Sequence, residues 1–262
     1  MTDLSGRRAL VTGGAQGLGE GMAGALARAG AHVVVADIQD DLGAKIAESL
    51  GEGHGFVHLD VTDESSWQAA IASATDQLGG LDILVNNAGV EITSLVVDLD
   101  PADITKMLNI NILGTALGTK HAFLAMRPGG VAGSGGVVIN VASVSATIAF
   151  PAISIYSATK SAVDRFTRVA AMESGKLGYG VRVNSIYPGL VPTEMGAGLA
   201  ADVAQIGLFG SPDEAVAAVI DLTPSGRLGT VEDMADAVVF LASDQAKFIN
   251  GVGLPVDGGM GM

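Results

Sequence analysis

The chain has 262 residues, a length that one large α/β domain accommodates around a single core, so no second domain is expected. Acidic residues outnumber basic ones by 28 to 14, and the resulting net charge of −14 would repel both a nucleic-acid backbone and an anionic membrane surface. There is no cysteine, which excludes a disulfide framework, a thiolate metal site and a cysteine nucleophile. The N-terminus shows no long apolar stretch behind a basic region, and nothing later approaches about 18 unbroken apolar residues, so the expected compartment is the cytoplasm.

The first predicted strand, 9–12, runs into Thr12-Gly13-Gly14-Ala15-Gln16-Gly17-Leu18-Gly19, and a helix is predicted over 18–29. Glycine lets such a turn close and lets an anion approach the backbone without meeting a Cβ, while the helix N-terminus favours negative charge. A pyrophosphate suits this place, with Gly13, Gln16, Gly17, Leu18 and Gly19 around it; in a chain with 37 glycines the turn alone is a weak signal. The second strand, 32–36, ends on Asp37, followed by Ile38 and Gln39. A carboxylate about 20 residues beyond the turn can accept hydrogen bonds from adenosine ribose hydroxyls and would repel a 2′-phosphate. Neither Gln16, Ile38 nor Gln39 offers the cation that a 2′-phosphate needs, so the expected cofactor is NAD.

A helix over 40–50, a strand over 56–59, a helix over 63–78 capped by Asp63 and a strand over 83–85 continue the alternation. A long helical segment, 101–126, leads to a strand over 137–141, after which Ser143 stands at a carboxyl strand end, where ligand crevices form. The helix predicted over 155–176 opens with Tyr156-Ser157-Ala158-Thr159-Lys160. Residues four apart project from one face, and an ammonium beside a phenol favours the phenolate. A free tyrosine is ionised about one part in a thousand at pH 7. A cationic neighbour would thus let Tyr156 serve as general acid for ketone reduction and general base for alcohol oxidation, with Ser143 holding the substrate oxygen. Strands over 181–186 and 253–256 and a helix over 231–243, with Thr230 and Asp233 in capping-box positions, complete the pattern. It describes a doubly wound α/β fold: seven parallel strands with helices on both faces. The long stretch outside the alternation, roughly 190–228, carries Met195, Leu199, Ile206, Leu208 and Phe209 and is expected to be a mobile lid, loosened by glycines at 196, 198, 207 and 210.

Over essentially its whole length the chain resembles the short-chain dehydrogenase/reductase family. The likeness rests on the 12–19 turn, Asp60-Val61, Asn86-Asn87-Ala88-Gly89, Asn111 in Asn-Ile-Leu-Gly, Ser143, Tyr156-x-x-x-Lys160, and Pro188-Gly189 followed by Thr193. It implies a tetrad in which Asn111 holds a water in a proton relay, Ser143 orients the substrate oxygen and Tyr156 exchanges the proton. Lys160 would bind the nicotinamide ribose and lower the tyrosine pKa. The resemblance also assigns Asp60 and Val61 to the adenine, and Asn87, Ala88 and Gly89 to the adenosine side and central ribose region. Pro188 and Gly189 join the cofactor site, with Val191 and Thr193 at the nicotinamide carboxamide. Asn86 is expected to be structural. Ala142 stands where many members have serine. A homotetramer of D2 symmetry is implied, packed through the helices near 101–126 and 155–176.

The residues expected to border the nicotinamide are Val144, Ser145, Phe150, Pro151, Tyr187, Met195, Leu199, Ile206 and Phe209, an apolar set without a cationic cluster. A neutral, bulky, hydrophobic alcohol or ketone (alicyclic, steroid, terpene or aryl) fits best. A 3-oxoacyl thioester reductase is an alternative, against which Asp37 and the acidic composition argue. A non-catalytic NAD-binding sensor is another, against which the complete tetrad argues. His54 and His58 are four apart, but glycines at 53 and 55 break a shared helical face, and no metal site is expected. His32, His121 and Trp67 read as surface or packing residues.

Overall fold

A computed structural model of the chain describes residues 2–133 and 135–262. In chain order, β1 (Arg8–Thr12), α1 (Gly17–Arg28), β2 (His32–Asp37), α2 (Asp40–Leu50), β3 (Gly55–His58), α3 (Glu64–Leu78) and β4 (Ile83–Asn86) form the first winding. The second holds α4 (Pro101–Met107), a π-helical turn (Leu108–Leu113), α5 (Gly114–Met126), β5 (Gly136–Val141), α6 (Ser154–Leu177) and β6 (Val181–Pro188). Then come α7 (Glu194–Gln205), α8 (Pro212–Asp221), α9 (Val231–Ala242) and β7 (Gly253–Val256). All seven strands are parallel, in the order β3-β2-β1-β4-β5-β6-β7. The order reverses between β1 and β4, where Ala9 pairs with Ile83 and Val11 with Val85. At such a switch point the loops leaving the two strands diverge and open a crevice beyond their carboxyl ends.

Side chains alternate along a strand, so each strand feeds both faces of the sheet. On one face Val11, Val33, Val35, Val85 and Ile139 pack with Met22 and Leu26 of α1 and Met234, Val238 and Leu241 of α9. On the other, Leu10, Val34, Leu84 and Val138 pack with Trp67 and Ile71 of α3, Met126 of α5 and Ala170 of α6. These strand side chains are fully buried, each contributing about 1.5–3 kcal/mol, and burial on both faces is why the strands read as unbroken apolar runs. Asp63 caps α3 by accepting the Ser65 N–H at 2.9 Å, and Thr230 and Asp233 form the expected reciprocal box at α9.

Two segments differ from expectation. The helix predicted over 101–126 contains the π-helical turn, with Asn111 inside it. The stretch 190–228 is more ordered than a glycine-loosened loop: α7 and α8 fill most of it, Gly196 and Gly198 lie within α7, and Leu199, Ala200, Val203, Phe209 and Ala215 form a small core of their own. Its alanines favour helix strongly enough to carry the two glycines, and Gly196 is needed because a Cβ there would collide with the Val191 carbonyl. Among the described residues no helix is long and apolar enough to cross a membrane.

Candidate active site

A cavity of about 1030 Å³ lies among the residues that follow β1, β2, β3, β4, β5 and β6. At one end Gly13 (φ +60) and Gly17 (φ +59) take left-handed backbone conformations, and a Cβ on Gly13 would come within 2.8 Å of the Ala88 backbone. Gln16, the N-cap residue of α1, makes no side-chain hydrogen bond to the first turn. The positive end of the α1 dipole, at Gly17 and Leu18, therefore opens on the cavity. Gly19 does not line it; a Cβ at Gly19 would strike the Gly13 carbonyl, so this glycine lets the helix pack under the turn.

Asp37 is buried beside this turn. Its Oδ2 accepts the Ala15 N–H and its Oδ1 the Gln39 N–H, both at 3.1 Å. An ionised carboxylate has about four acceptor positions, so Asp37 ties the turn to β2 and keeps acceptor capacity for the cavity it lines. Thr12, the first residue of the glycine-rich turn, sews β1 to the loop after β4: its Oγ1 accepts the N–H groups of Asn87 and Ala88 at 3.1 Å. The Asn87 amide returns bonds to the carbonyls of Thr12 and Gly13 at 3.0 Å. Asn86 donates to Asn140 of β5 at 2.9 Å.

The remaining cofactor candidates close the walls. Asp60 accepts the Thr62 N–H at 2.9 Å, and the Val61 carbonyl accepts the Trp67 indole at 3.0 Å. Gly189 donates to Val256 at 3.1 Å, and Thr193 caps α7 by accepting the Gly196 N–H at 3.3 Å. Ile38, Asp60, Val61, Asn87, Ala88, Gly89, Pro188, Gly189, Val191 and Thr193 all border the cavity. This arrangement fits a dinucleotide: a carboxylate for ribose hydroxyls, a cradle that a Cβ would fill, and an open helix N-terminus for a pyrophosphate.

Ser143, Tyr156 and Lys160 come together further along the cavity, whereas Asn111 is buried behind them and does not line it. Ser143, just past β5, hydrogen-bonds the Tyr156 phenol. Lys160 is buried; its Nζ donates to the Val141 carbonyl at 2.8 Å and lies 5.5 Å from the centroid of the Tyr156 ring. The Asn111 amide is fully engaged. Its Oδ1 accepts the Val90 N–H at 2.9 Å, and its Nδ2 donates to the Val90 carbonyl at 2.9 Å and to Thr159 Oγ1 at 3.0 Å. Thr159, the unassigned threonine of the Tyr-x-x-x-Lys segment, donates in turn to the Tyr156 carbonyl at 2.7 Å. Asn111 therefore locks the π-helical turn, the loop after β4 and the start of α6 to one another.

Burial pushes the Tyr156 phenol up to about 12, opposed by the Ser143 hydrogen bond and reinforced by the negative charge of Glu91. Burial pushes the Lys160 ammonium down to about 8. The sequence pattern predicts a lowered tyrosine. The physical difference is that Lys160 directs a proton to Val141 and lies against the phenol ring, so desolvation outweighs its charge.

Ser145, Phe150 and Met195 line the cavity, as do Val144, Pro151, Leu199 and Phe209. The Ser145 hydroxyl is buried without a partner among the described residues. Tyr187 is a correction: it lies outside the cavity, its phenol donating to Asp164 of α6 and its ring covering Gly253. Ile206, at the end of α7, is outside as well. His121 stacks on Trp67 and has Glu64 at 3.4 Å, and His58 pairs with Asp40 at 2.7 Å. Glu91 and Met260 line the cavity unforeseen. A lone carboxylate in the apolar run after β4 was a readable signal for Glu91; Met260 depends on how the chain turns after β7.

Residues 13–261, nearly the whole chain, match a family model described as enoyl-(acyl carrier protein) reductase. The chain is 38% identical over 260 residues to the trans-4-hydroxycyclohexanecarboxylate dehydrogenase of Sinomonas cyclohexanicum, spanning 96% of this chain and 91% of that protein. The chain belongs to the short-chain dehydrogenase/reductase family. Another member of the family, the 3-beta-hydroxysteroid dehydrogenase of Comamonas testosteroni, is 36% identical over 263 residues, spanning 99% and 98% of the two chains. Among solved structures, the family fold is matched by a 3-ketoacyl-(acyl-carrier-protein) reductase from Brucella melitensis complexed with NADH, with a TM-score of 0.87 and 32% identity across 99% of this chain and 100% of that one.

Proposed function

We propose that this chain is an NAD-dependent dehydrogenase interconverting a secondary alcohol and its ketone, with a neutral, bulky, hydrophobic substrate. The observation that carries the reading is that Ser143, Tyr156 and Lys160 open on the same cavity as Asp37 and the N-terminus of α1. NAD, when bound, supplies the hydride acceptor. Asp37 would hold the adenosine ribose, the first-turn N–H groups of α1 the pyrophosphate, Asp60 and Val61 the adenine, and Asn87, Ala88 and Gly89 the central ribose region. Pro188, Gly189, Val191 and Thr193 would bound the nicotinamide, and Lys160 its ribose.

Ser143 and Tyr156 would grip the substrate oxygen. A phenol held protonated well above neutral pH is suited to giving its proton to a ketone oxygen. The reverse reaction needs the phenolate to take the alcohol proton; the Ser143 hydrogen bond and the Lys160 charge act in that direction. With its amide committed to Val90 and Thr159 and its backbone carbonyl accepting the Thr115 hydroxyl at 2.8 Å, Asn111 would have to share that carbonyl to hold a relay water.

The apolar cavity wall and the dehydrogenase names of the two relatives support the substrate class. A thioester reductase is favoured less, because a net charge of −14 is a poor surface for an acidic carrier. A cytoplasmic homotetramer completes the reading, supported by the apolar face that Leu124 of α5 and Val169, Met172 and Leu177 of α6 expose. A panel of alicyclic, steroid, terpene and aryl alcohols, followed by NADH absorbance, tests the function. Tyr156→Phe should lower kcat by about 10²–10⁴-fold while NADH binding survives. Wild-type turnover in that variant, or no NAD-linked oxidation of any alcohol, would refute it.

A further inference from the structure

Glu91 is a half-buried carboxylate that lines the cavity. It follows Val90, whose N–H and carbonyl are both held by the Asn111 amide. Three residues later the Ser94 N–H donates to the Ala152 carbonyl at 2.8 Å, and Ser94 bridges Ile153. The segment 90–94 is thus pinned at one end to Asn111 and at the other to the loop that delivers Tyr156. Ala152 has a φ of 68°, the left-handed region, alone among the described non-glycine residues. Strain of this kind persists where the surrounding structure enforces one geometry. Glu91 is therefore held between the Asn111 amide, which clamps Val90, and the 152–153 segment, which clamps Ser94.

Its hydrogen-bond partner among the described residues is the Thr93 hydroxyl, 3.1 and 3.2 Å from its two oxygens. One hydroxyl proton serves one oxygen at a time, so most of the carboxylate's acceptor capacity is open to the cavity. Burial and the neighbouring Asp202 hold its pKa up to about 7. Near neutral pH the group can therefore either accept or donate a hydrogen bond.

We infer that Glu91 is a specificity-determining residue that binds a second hydroxyl on the substrate and disfavours substrates carrying a carboxylate. The inference rests on the dehydrogenase reading above and narrows its neutral substrate to a diol or a hydroxyketone. A hydroxyl satisfies Glu91 in either protonation state. A carboxylate would face like charge in a half-buried site, and a purely apolar group would leave the acceptor positions that Thr93 does not fill without a partner. The chain would then part from the relative named for a hydroxycyclohexanecarboxylate substrate.

The test uses the purified enzyme with NAD and four cyclohexanols that differ at one ring position: cyclohexane-1,4-diol, 4-methylcyclohexanol, trans-4-aminocyclohexanol and trans-4-hydroxycyclohexanecarboxylate. We expect KM to be about tenfold lower for the diol than for 4-methylcyclohexanol, and the acid to be the poorest substrate. Glu91→Gln, which keeps a donor and an acceptor, should retain the diol preference and improve the acid. Glu91→Leu should lose the diol preference. Circular dichroism establishes that both variants fold, and the near-isosteric glutamine keeps the test decisive if leucine does not. The inference is overturned if the diol-to-methyl KM ratio is the same in all three proteins, or if the wild type takes the acid as readily as the diol. A preference for the amine over the diol overturns the hydroxyl assignment in favour of an ammonium. Failure to oxidise any of the alcohols would instead refute the dehydrogenase reading itself.

Discussion

Replacing Asp37 with asparagine isolates charge from shape in the choice between NAD and NADP. The side chain keeps its size and one oxygen, so the cavity wall is unchanged while the negative charge is gone. A carboxylate about 5 Å from a unit of phosphate charge, at an effective dielectric near 20, is repelled by roughly 3 kcal/mol, or about a hundredfold in affinity. Asp37 also accepts the Ala15 and Gln39 N–H groups. An amide can replace only one of these acceptors, and the lost bond costs about 1 kcal/mol. The expected result is a rise of about 10- to 100-fold in the ratio of kcat/KM for NADP to that for NAD, carried mainly by KM for NADP. A modest fall in thermal stability should accompany it. The assay is steady-state kinetics with each cofactor at saturating alcohol, beside a melting curve. An unchanged cofactor ratio in a folded Asp37→Asn enzyme would refute electrostatic exclusion and leave shape as the discriminator.

Glu91→Gln carries a pH signature in stability. A carboxyl whose pKa rises from its ordinary 4.5 to about 7 on folding binds its proton more tightly in the folded chain, so its contribution to stability falls as pH rises through that window and stays low above it. Glutamine lacks this dependence. The variant's advantage should therefore be small at pH 5 and reach roughly 1–2 kcal/mol at pH 8, after discounting for partial exposure; urea midpoints at fixed protein concentration measure it, and an equal difference at both pH values would contradict it. For assembly, light scattering should give a particle of four chains, and Leu124→Asp combined with Met172→Asp, which charges the exposed face of α5 and α6, should reduce it; an unaltered mass would place the interface elsewhere.

What was legible in the sequence follows a physical rule. Gly13 and Gly17 are legible because a positive φ demands glycine, whatever surrounds it. The strands are legible because burial on both faces requires unbroken apolar runs. The π-helical turn around Asn111 was not, since it accompanies contacts to Val90 and Thr159 that lie 21 and 48 residues away. The order in α7 was hidden behind glycines that read as loosening, although Gly196 is there to let the helix approach Val191.

Tyr187 and Glu91 show why the substrate end is harder to read than the cofactor end. Tyr187 and Pro188 are consecutive in β6, paired with Pro255 and Val256 of β7, and neighbours on a strand point to opposite faces. Pro188 borders the cavity and Tyr187 turns to Asp164, so an error of one residue in strand phase exchanges a wall residue for a packing residue. Glu91 lies in an irregular loop, where no period sets direction; its orientation comes from the clamp on Val90 and the Ser94 bridge to Ile153. Tyr156 extends the same point to chemistry. Its spacing to Lys160 places a cation nearby, but the depth at which both are buried decides whether that cation or the lost solvent governs the phenol, and depth is a property of the folded chain. A residue's local backbone demands survive translation into one dimension, whereas the direction and dielectric of its surroundings are made by distant segments. For that reason the cofactor site can be inferred from motifs, and the substrate has to be sought at Glu91, with a second hydroxyl in hand.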